Sequence, residues 1–69
     1  MSDYKDICDT AMESLMTKER FKEEDFYADL RGYSITPSEM IRLWEVTRDD
    51  YLRVGLIERI ENGYFRAKT

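Results

Sequence analysis

The chain has 69 residues and a net charge of −4. Its length predicts a single domain, residues 1–69, with a thin hydrophobic core. One cysteine excludes an internal disulfide, and the lack of histidine, of a glycine-rich phosphate loop and of a metal-ligand cluster predicts no enzymatic activity, no metal and no cofactor. Neither a basic and apolar leader nor a membrane-spanning stretch begins the sequence, so we expect a soluble, cytoplasmic protein.

The first predicted element is an amphipathic helix over residues 3–17. Ser2 or Asp3 can cap its start. Apolar side chains recur at intervals of three and four residues and form one stripe that we expect in the core, with members Tyr4, Ile7, Cys8, Ala11, Met12, Leu15 and Met16. The place of Cys8 on this stripe predicts a buried and unreactive thiol.

A shorter helix is predicted over residues 23–31. Phe21 and Phe26 have the spacing of a hydrophobic staple around Lys22. Acidic residues fill the first turn, where the helix dipole favours negative charge, and Gly32 follows the last turn as a stop.

The third predicted helix, residues 37–53, has the clearest boundaries. Thr36 is its N-cap, Pro37 and Glu39 follow as a capping-box pattern, and Gly55 ends it. The side expected to face the core carries Met40, Leu43, Trp44, Thr47, Tyr51 and Val54. The side expected to face solvent carries Ser38, Arg42, Glu45, Asp49 and Arg53. The expected neighbours of Trp44 at the centre of the core are Leu15, Phe26 and Phe65.

A β-hairpin is predicted over residues 56–68, because Asn62-Gly63 is the strongest two-residue signal for a type I′ turn. Taking those two residues as the turn places Arg59 opposite Arg66. Alternation then gives two faces. The inward face is expected to hold Ile60, Phe65 and Ala67, with Glu58 nearer the edge, and the outward face Arg59, Glu61, Tyr64, Arg66 and Lys68.

The order of these elements, with a short extended piece near Arg20–Lys22, resembles the winged helix-turn-helix family. The likeness covers nearly the whole chain and rests on the segments FKEEDF (21–26), TPSE (36–39), GLIER (55–59) and NGYFR (62–66). The implied fold is α+β and mainly helical, a three-helix winged helix-turn-helix with a C-terminal two-stranded β-hairpin wing. In that family the third helix usually enters the DNA major groove and the wing contacts the backbone or the minor groove.

The resemblance implies a regulator or accessory factor that binds double-stranded DNA. Carried over by position, base-edge contacts come from Thr36, Ser38, Arg42 and Glu45, and backbone contacts from Arg59, Arg66 and Lys68. Facing arginines on paired strands repel each other, and a polyanion would relieve that repulsion. A solvated strand, compensated by Glu58 and Glu61, is the other interpretation.

The distribution of charge weighs against DNA. Residues 1–36 hold five basic and nine acidic side chains, whereas residues 37–69 hold six of each. On the outward side of the third helix, Arg42 with Glu45 and Asp49 with Arg53 have the spacing of helix ion pairs and can neutralise one another. A basic footprint for phosphates therefore requires that the acidic first half face away.

The alternative function is an acidic winged-helix module for protein interaction, an adaptor or inhibitor without DNA binding. Its surface would be the second helix and the turn after it, where Glu23, Glu24, Asp25 and Asp29 would meet a basic partner and Tyr27 and Tyr33 would serve as anchors. A solvated helix face is again the other interpretation. A homodimer is left open. Tyr4 or Met12 in the first stripe can be left over for a partner, or the same residues can close the core.

Overall fold

The computed structural model of the protein describes residues 4–68. Three helices, α1 (Tyr4–Leu15), α2 (Glu23–Leu30) and α3 (Pro37–Arg53), precede two short strands, β1 (Ile57–Arg59) and β2 (Phe65–Ala67). The strands pair in antiparallel fashion as a hairpin. The predicted fold class, three helices followed by a two-stranded hairpin, is confirmed. Among the described helices, none is both long and apolar enough to cross a membrane.

Helix α1 buries the predicted stripe through Cys8, Ala11, Met12 and Leu15. The helix ends at Leu15, earlier than predicted. The reason is local, because the hydroxyl and the N–H of Thr17 both donate to the carbonyl of Ser14, at 2.7 and 3.3 Å, and close a tighter turn. The predicted caps Ser2 and Asp3 lie outside the described residues.

Helix α2 begins at Glu23, as predicted, and the Lys22 N–H donates to Asp25 Oδ2 at 3.1 Å. A carboxylate in the first turn thus satisfies an N–H at the helix start, although Lys22 offers no acceptor of its own. The last helical residue is Leu30, and Arg31 caps the end in a right-handed conformation. Gly32 does not adopt positive φ, so it follows the helix without forming a left-handed cap.

Helix α3 spans the predicted residues, and both of its ends follow the sequence signals. Thr36 Oγ1 accepts the N–H of Glu39 at 3.3 Å, and Pro37 occupies the first turn. At the other end Gly55 has φ +83° and the Leu56 N–H donates to the Tyr51 carbonyl at 2.9 Å, which is the Schellman arrangement.

The core is centred on Trp44, as predicted. Its ring centroid lies 5.2 Å from that of Phe26 and 5.6 Å from that of Phe65, so one indole joins α2, α3 and the hairpin. Leu15 is fully buried in the same cluster. Val54, expected on the inner side of α3, is 64% exposed, because it is the cap residue at which the chain leaves the helix.

Phe21 adds a third extended segment to the hairpin. Its N–H donates to the Phe65 carbonyl at 2.8 Å, and the Phe65 N–H donates back to the Phe21 carbonyl at 2.7 Å. The two rings stack with centroids 6.1 Å apart, and both are buried. The connection between α1 and α2 is thereby fixed to strand β2.

The predicted register of the hairpin is wrong by one residue. Asn62 and Gly63 do adopt the positive φ of a type I′ turn, at 58° and 77°, and the Tyr64 N–H donates to the Glu61 carbonyl at 3.1 Å. The Tyr64 carbonyl, however, accepts the N–H of Ile60, at 2.9 Å. Ile60 and Glu61 therefore both oppose Tyr64, and this bulge shifts β1 along β2.

The shift exchanges the two faces of β1. Arg59 now pairs with Phe65 and Glu58 with Arg66, so the predicted facing arginines do not occur. Ile57 takes the inward position that the prediction gave to Ile60 and Glu58, and it is fully buried. The observed register buries an aliphatic side chain and leaves the Glu58 carboxylate outside, which costs far less than the reverse.

Candidate nucleic-acid interface

The outward side of α3 presents the predicted base-contacting residues to solvent. Thr36, Ser38, Arg42 and Glu45 are all exposed. Thr36 uses an oxygen lone pair for the cap and keeps its hydroxyl hydrogen as a donor. The first turns of α3 thus offer two hydroxyl groups, one guanidinium and one carboxylate on one solvent-facing surface.

The predicted ion pairs on this surface do not form. Arg48 pairs with Asp49 at 3.0 Å and Arg53 with Asp50 at 2.8 Å. Arg48 reaches Asp49 while its guanidinium lies 6.0 Å from the centroid of the Trp44 ring. Arg42 has no salt bridge with any residue in the range 4–68.

The hairpin separates the predicted backbone-contacting residues. Arg59 shares a face with the buried Phe65, and its guanidinium carbon lies 5.3 Å from that ring. Arg66 lies on the other face, where its Nε donates to Glu58 Oε2 at 2.6 Å. Lys68 is exposed, and its main-chain N–H donates to the Leu56 carbonyl at 2.9 Å. Arg59 and Lys68 form no salt bridge within the described part of the chain.

The structure adds two basic residues that the sequence analysis did not assign. Arg20 and Lys22 flank the Tyr64 ring, with charged atoms 4.6 and 5.3 Å from its centroid. Arg20 and Arg66 also line an open cleft of about 600 Å³ together with Glu19, Ile60 and Glu61. The sequence signal available for Arg20 and Lys22 was their position on either side of Phe21 in an extended segment. Successive side chains of such a segment point to opposite faces, so a buried Phe21 leaves both basic side chains on the outer face.

The residues of the alternative protein-interaction surface are divided among three environments. Asp29 and Tyr33 line a shallow groove of about 220 Å³ with α1 residues Ile7, Thr10, Ala11 and Ser14. Asp25 accepts at the start of α2, and Glu24 pairs with Lys22 at 3.3 Å. Glu23 is exposed, and it stands near enough to Tyr27 that burial, Glu23 and Glu45 together raise the pKa of that phenol.

The residues suggested for a homodimer are used within the chain. Met12 is completely buried, so that suggestion was wrong. Tyr4 is half-buried and lines a second cleft, between α1 and α3. Among residues 4–68, no three histidine, cysteine, aspartate or glutamate side chains are grouped so that they could hold a metal ion.

Three helices, a hairpin and the Phe21 bridge together define a winged-helix-like layout. Comparisons with protein-family models, with curated proteins and with solved structures give no match. Membership of the winged helix-turn-helix family therefore stays a prediction. The case for a function depends on the geometry of the residues described above.

Proposed function

We propose that this protein binds double-stranded DNA as a regulator or accessory factor, with α3 toward the major groove and the hairpin on the backbone. The observation that supports the proposal is that Arg42, Arg59 and Lys68 are exposed and form no salt bridge within residues 4–68. Cations without a competing carboxylate are those that neutralise phosphates and release counterions. As part of this proposal we place the protein in the cytoplasm, where a single unpaired cysteine is stable.

The roles of the individual side chains follow from their donors and acceptors. Arg42 offers the two parallel donors that match the O6 and N7 atoms of guanine. Glu45, one helical turn further on, can accept from the amino group of cytosine. Thr36 and Ser38 lie at the start of α3, where their hydroxyl groups can donate to or accept from the edges of bases.

The acidic residues set the expected strength of binding. Glu39, Glu45 and Glu61 belong to the same half of the chain and form no salt bridge within the described residues. They oppose the approach of DNA, so we expect non-specific dissociation constants of about 10⁻⁴ to 10⁻⁵ M at physiological salt.

The test is a fluorescence-anisotropy titration of labelled random duplex over a range of salt concentrations. Phosphate contacts from Arg59 and Lys68 predict that the logarithm of the association constant falls with the logarithm of salt concentration with a slope of about −1.8. Lys68→Gln should make the slope shallower by about one. Lys18→Gln removes an equally exposed lysine outside α3 and the hairpin and should leave the slope unchanged. No binding at about 50 mM salt with protein at about 100 μM would contradict the proposal.

A second candidate function, protein docking on the acidic half, is favoured by the groove between α1 and α2. Tyr33 is 48% exposed at its edge, and Asp29 beside it forms no salt bridge within residues 4–68. A photo-crosslinking residue at position 33 should capture a basic protein, and Asp29→Lys should abolish the capture. The same crosslinker at position 53, on α3, is the control.

A further inference from the structure

A cleft between α1 and α3 lies on the side of α3 that the proposed DNA interface does not use. Its volume is about 320 Å³, at the lower end of the range for small-molecule sites. The apolar part of its lining is formed by Cys8, Leu43 and Val46. Val46 is 57% exposed, so part of this apolar surface faces solvent. The cleft can therefore receive the apolar body of a small ligand.

The polar groups of the cleft converge on one carboxylate. The Tyr51 hydroxyl donates to Asp9 Oδ1 at 3.1 Å, and Lys5 Nζ donates to Asp9 Oδ2 at 3.0 Å. Burial, followed by the bond to Asp9, raises the pKa of Tyr51 to about 12, so the phenol remains a donor at neutral pH. Asp9 is thus held in place by a bond that fixes its orientation across the two helices.

The ion pair with Lys5 shows that Asp9 can bind an ammonium group. The Lys5 side chain is 79% exposed, and an ion pair with one end in solvent contributes little to stability. A cation from another molecule can therefore take its place at small cost. Asp50, which pairs with Arg53 at 2.8 Å, and the tyrosines Tyr4 and Tyr51 also line the cleft.

Two further polar groups that line the cleft, those of Cys8 and Thr47, are uncharged. Burial raises the pKa of the Cys8 thiol, and the Thr47 hydroxyl beside it is buried as well. Both groups are neutral and small at pH 7, so they accept an apolar surface without leaving a charge unpaired. The cleft therefore combines a carboxylate rim with an apolar base.

We propose that this cleft binds a small primary amine on an apolar body, such as an arylalkylamine, with its ammonium group on Asp9 in the place of Lys5. The body of the ligand covers Leu43 and Val46, and Tyr51 keeps Asp9 in position. This site is separate from the DNA-binding proposal, because its residues are not among those assigned to DNA.

The experiment is an NMR titration of the ¹⁵N-labelled full chain with phenethylammonium chloride at pH 7. We expect shifts in the amide signals of residues that line the cleft, Cys8, Asp9, Thr47 and Tyr51, and a dissociation constant on the order of 1 mM. Phenethyl alcohol, which has the same ring and no charge, should bind at least about fivefold more weakly. Shifts located elsewhere, or equal binding of the alcohol, would overturn the proposal.

Two substitutions are expected to act in opposite directions. Asp9→Asn should weaken amine binding about tenfold, because the ammonium loses its counter-charge. Lys5→Gln should strengthen it about two- to fivefold, because the competing ammonium is removed. Lys18→Gln changes the net charge equally and should have no effect, as should Asp29→Asn. If Lys5→Gln bound no more tightly than the parent, the replacement of Lys5 would be wrong. Thermal melting of Asp9→Asn checks that this variant folds. The Lys5→Gln measurement tests the proposal even if Asp9→Asn does not fold.

Discussion

The two flanks of α3 differ in how they hold their charges. Toward α1, Asp9 is bound from two sides by Lys5 and Tyr51 at the rim of a cleft. Toward solvent and the hairpin, Arg42 and Arg59 have no such partners among residues 4–68. A hydrogen-bonded carboxylate of α1 therefore lies beside one flank of α3, and arginines without salt bridges among residues 4–68 lie on α3 itself and on β1.

The difference indicates that the two flanks suit different ligands. A carboxylate oriented by hydrogen bonds favours one small cation in one position. Arginines with few constraints favour a polyanion, for which position along the backbone matters less than charge. Substitutions on one flank should consequently leave ligand binding on the other unchanged.

The largest effect is expected for Trp44, the core residue that packs α3 against the rest of the protein. Trp44 contacts Phe26 and Phe65 from the centre of α3, so Trp44→Ala should lower the free energy of unfolding by about 3–5 kcal/mol. A single core in a chain of this length rarely supplies more than about 3–5 kcal/mol, so the variant should be largely unfolded at room temperature. Circular dichroism with thermal melting measures this. A cooperative melt close to that of the parent would contradict the assignment of Trp44 to the core.

The next effect compares two arginines of the hairpin. Arg59→Gln should weaken duplex binding about tenfold and make its salt slope shallower by about one. Arg66→Gln changes the net charge equally but removes a side chain already paired with Glu58, so its effect should be no more than about threefold. Anisotropy titrations of both variants decide the matter. A stronger loss for Arg66→Gln would move the DNA-contacting face of the hairpin to its Tyr64 side.

A smaller effect is expected for the glycine at which α3 meets the hairpin. Gly55 has φ +83° where α3 meets β1, so Gly55→Ala should cost about 1 kcal/mol of unfolding free energy. Gly32→Ala is the matched control, since Gly32 has no positive φ and nothing lies within 4 Å of the added methyl group. It should be neutral or slightly stabilising. Urea denaturation measures both, and equal losses would show that left-handed backbone is not the cause.

The smallest effect concerns the bond across the cleft. Tyr51→Phe should cost about 0.5 kcal/mol near neutral pH, because the hydroxyl bond to Asp9 is partly exposed. The folded-state pKa of Tyr51 is raised from 10.0 to about 12, so its contribution is complete below pH 10 and is lost as pH rises toward 12. Urea midpoints of parent and variant should draw together above pH 10 and then cross, because the folded parent disfavours the phenolate. A constant difference between them would show that the phenol is not the titrating group.

Much of the helical structure could be predicted because its signals are local. Thr36 and Pro37 mark the start of α3, and Gly55 marks its end. Each acts through hydrogen bonds or backbone angles within a few residues of its own end of the helix. The stripe of α1 and the place of Trp44 followed from helical periodicity. The end of α1 was misplaced because the side chain of Thr17 competes for a backbone carbonyl, which periodicity does not report.

The candidate sites were less predictable because they combine distant parts of the chain. Exposure of Ser38 and Arg42 followed from the pattern of α3 alone. The cleft requires Asp9 and Tyr51, 42 residues apart, to meet across two helices. The basic pair around Tyr64 requires Phe21 to bridge β2. No spacing along the sequence specifies either contact.

The sequence by itself determined where α3 begins and ends, that Asn62 and Gly63 form the turn, and that Trp44 lies inside. The tertiary structure decided the register of the hairpin and therefore which face each arginine occupies. The physical reason is that the turn allows either register, while the core accepts Ile57 and excludes the Glu58 carboxylate. That choice is made by contacts with α3 and Phe21, which the hairpin sequence does not contain.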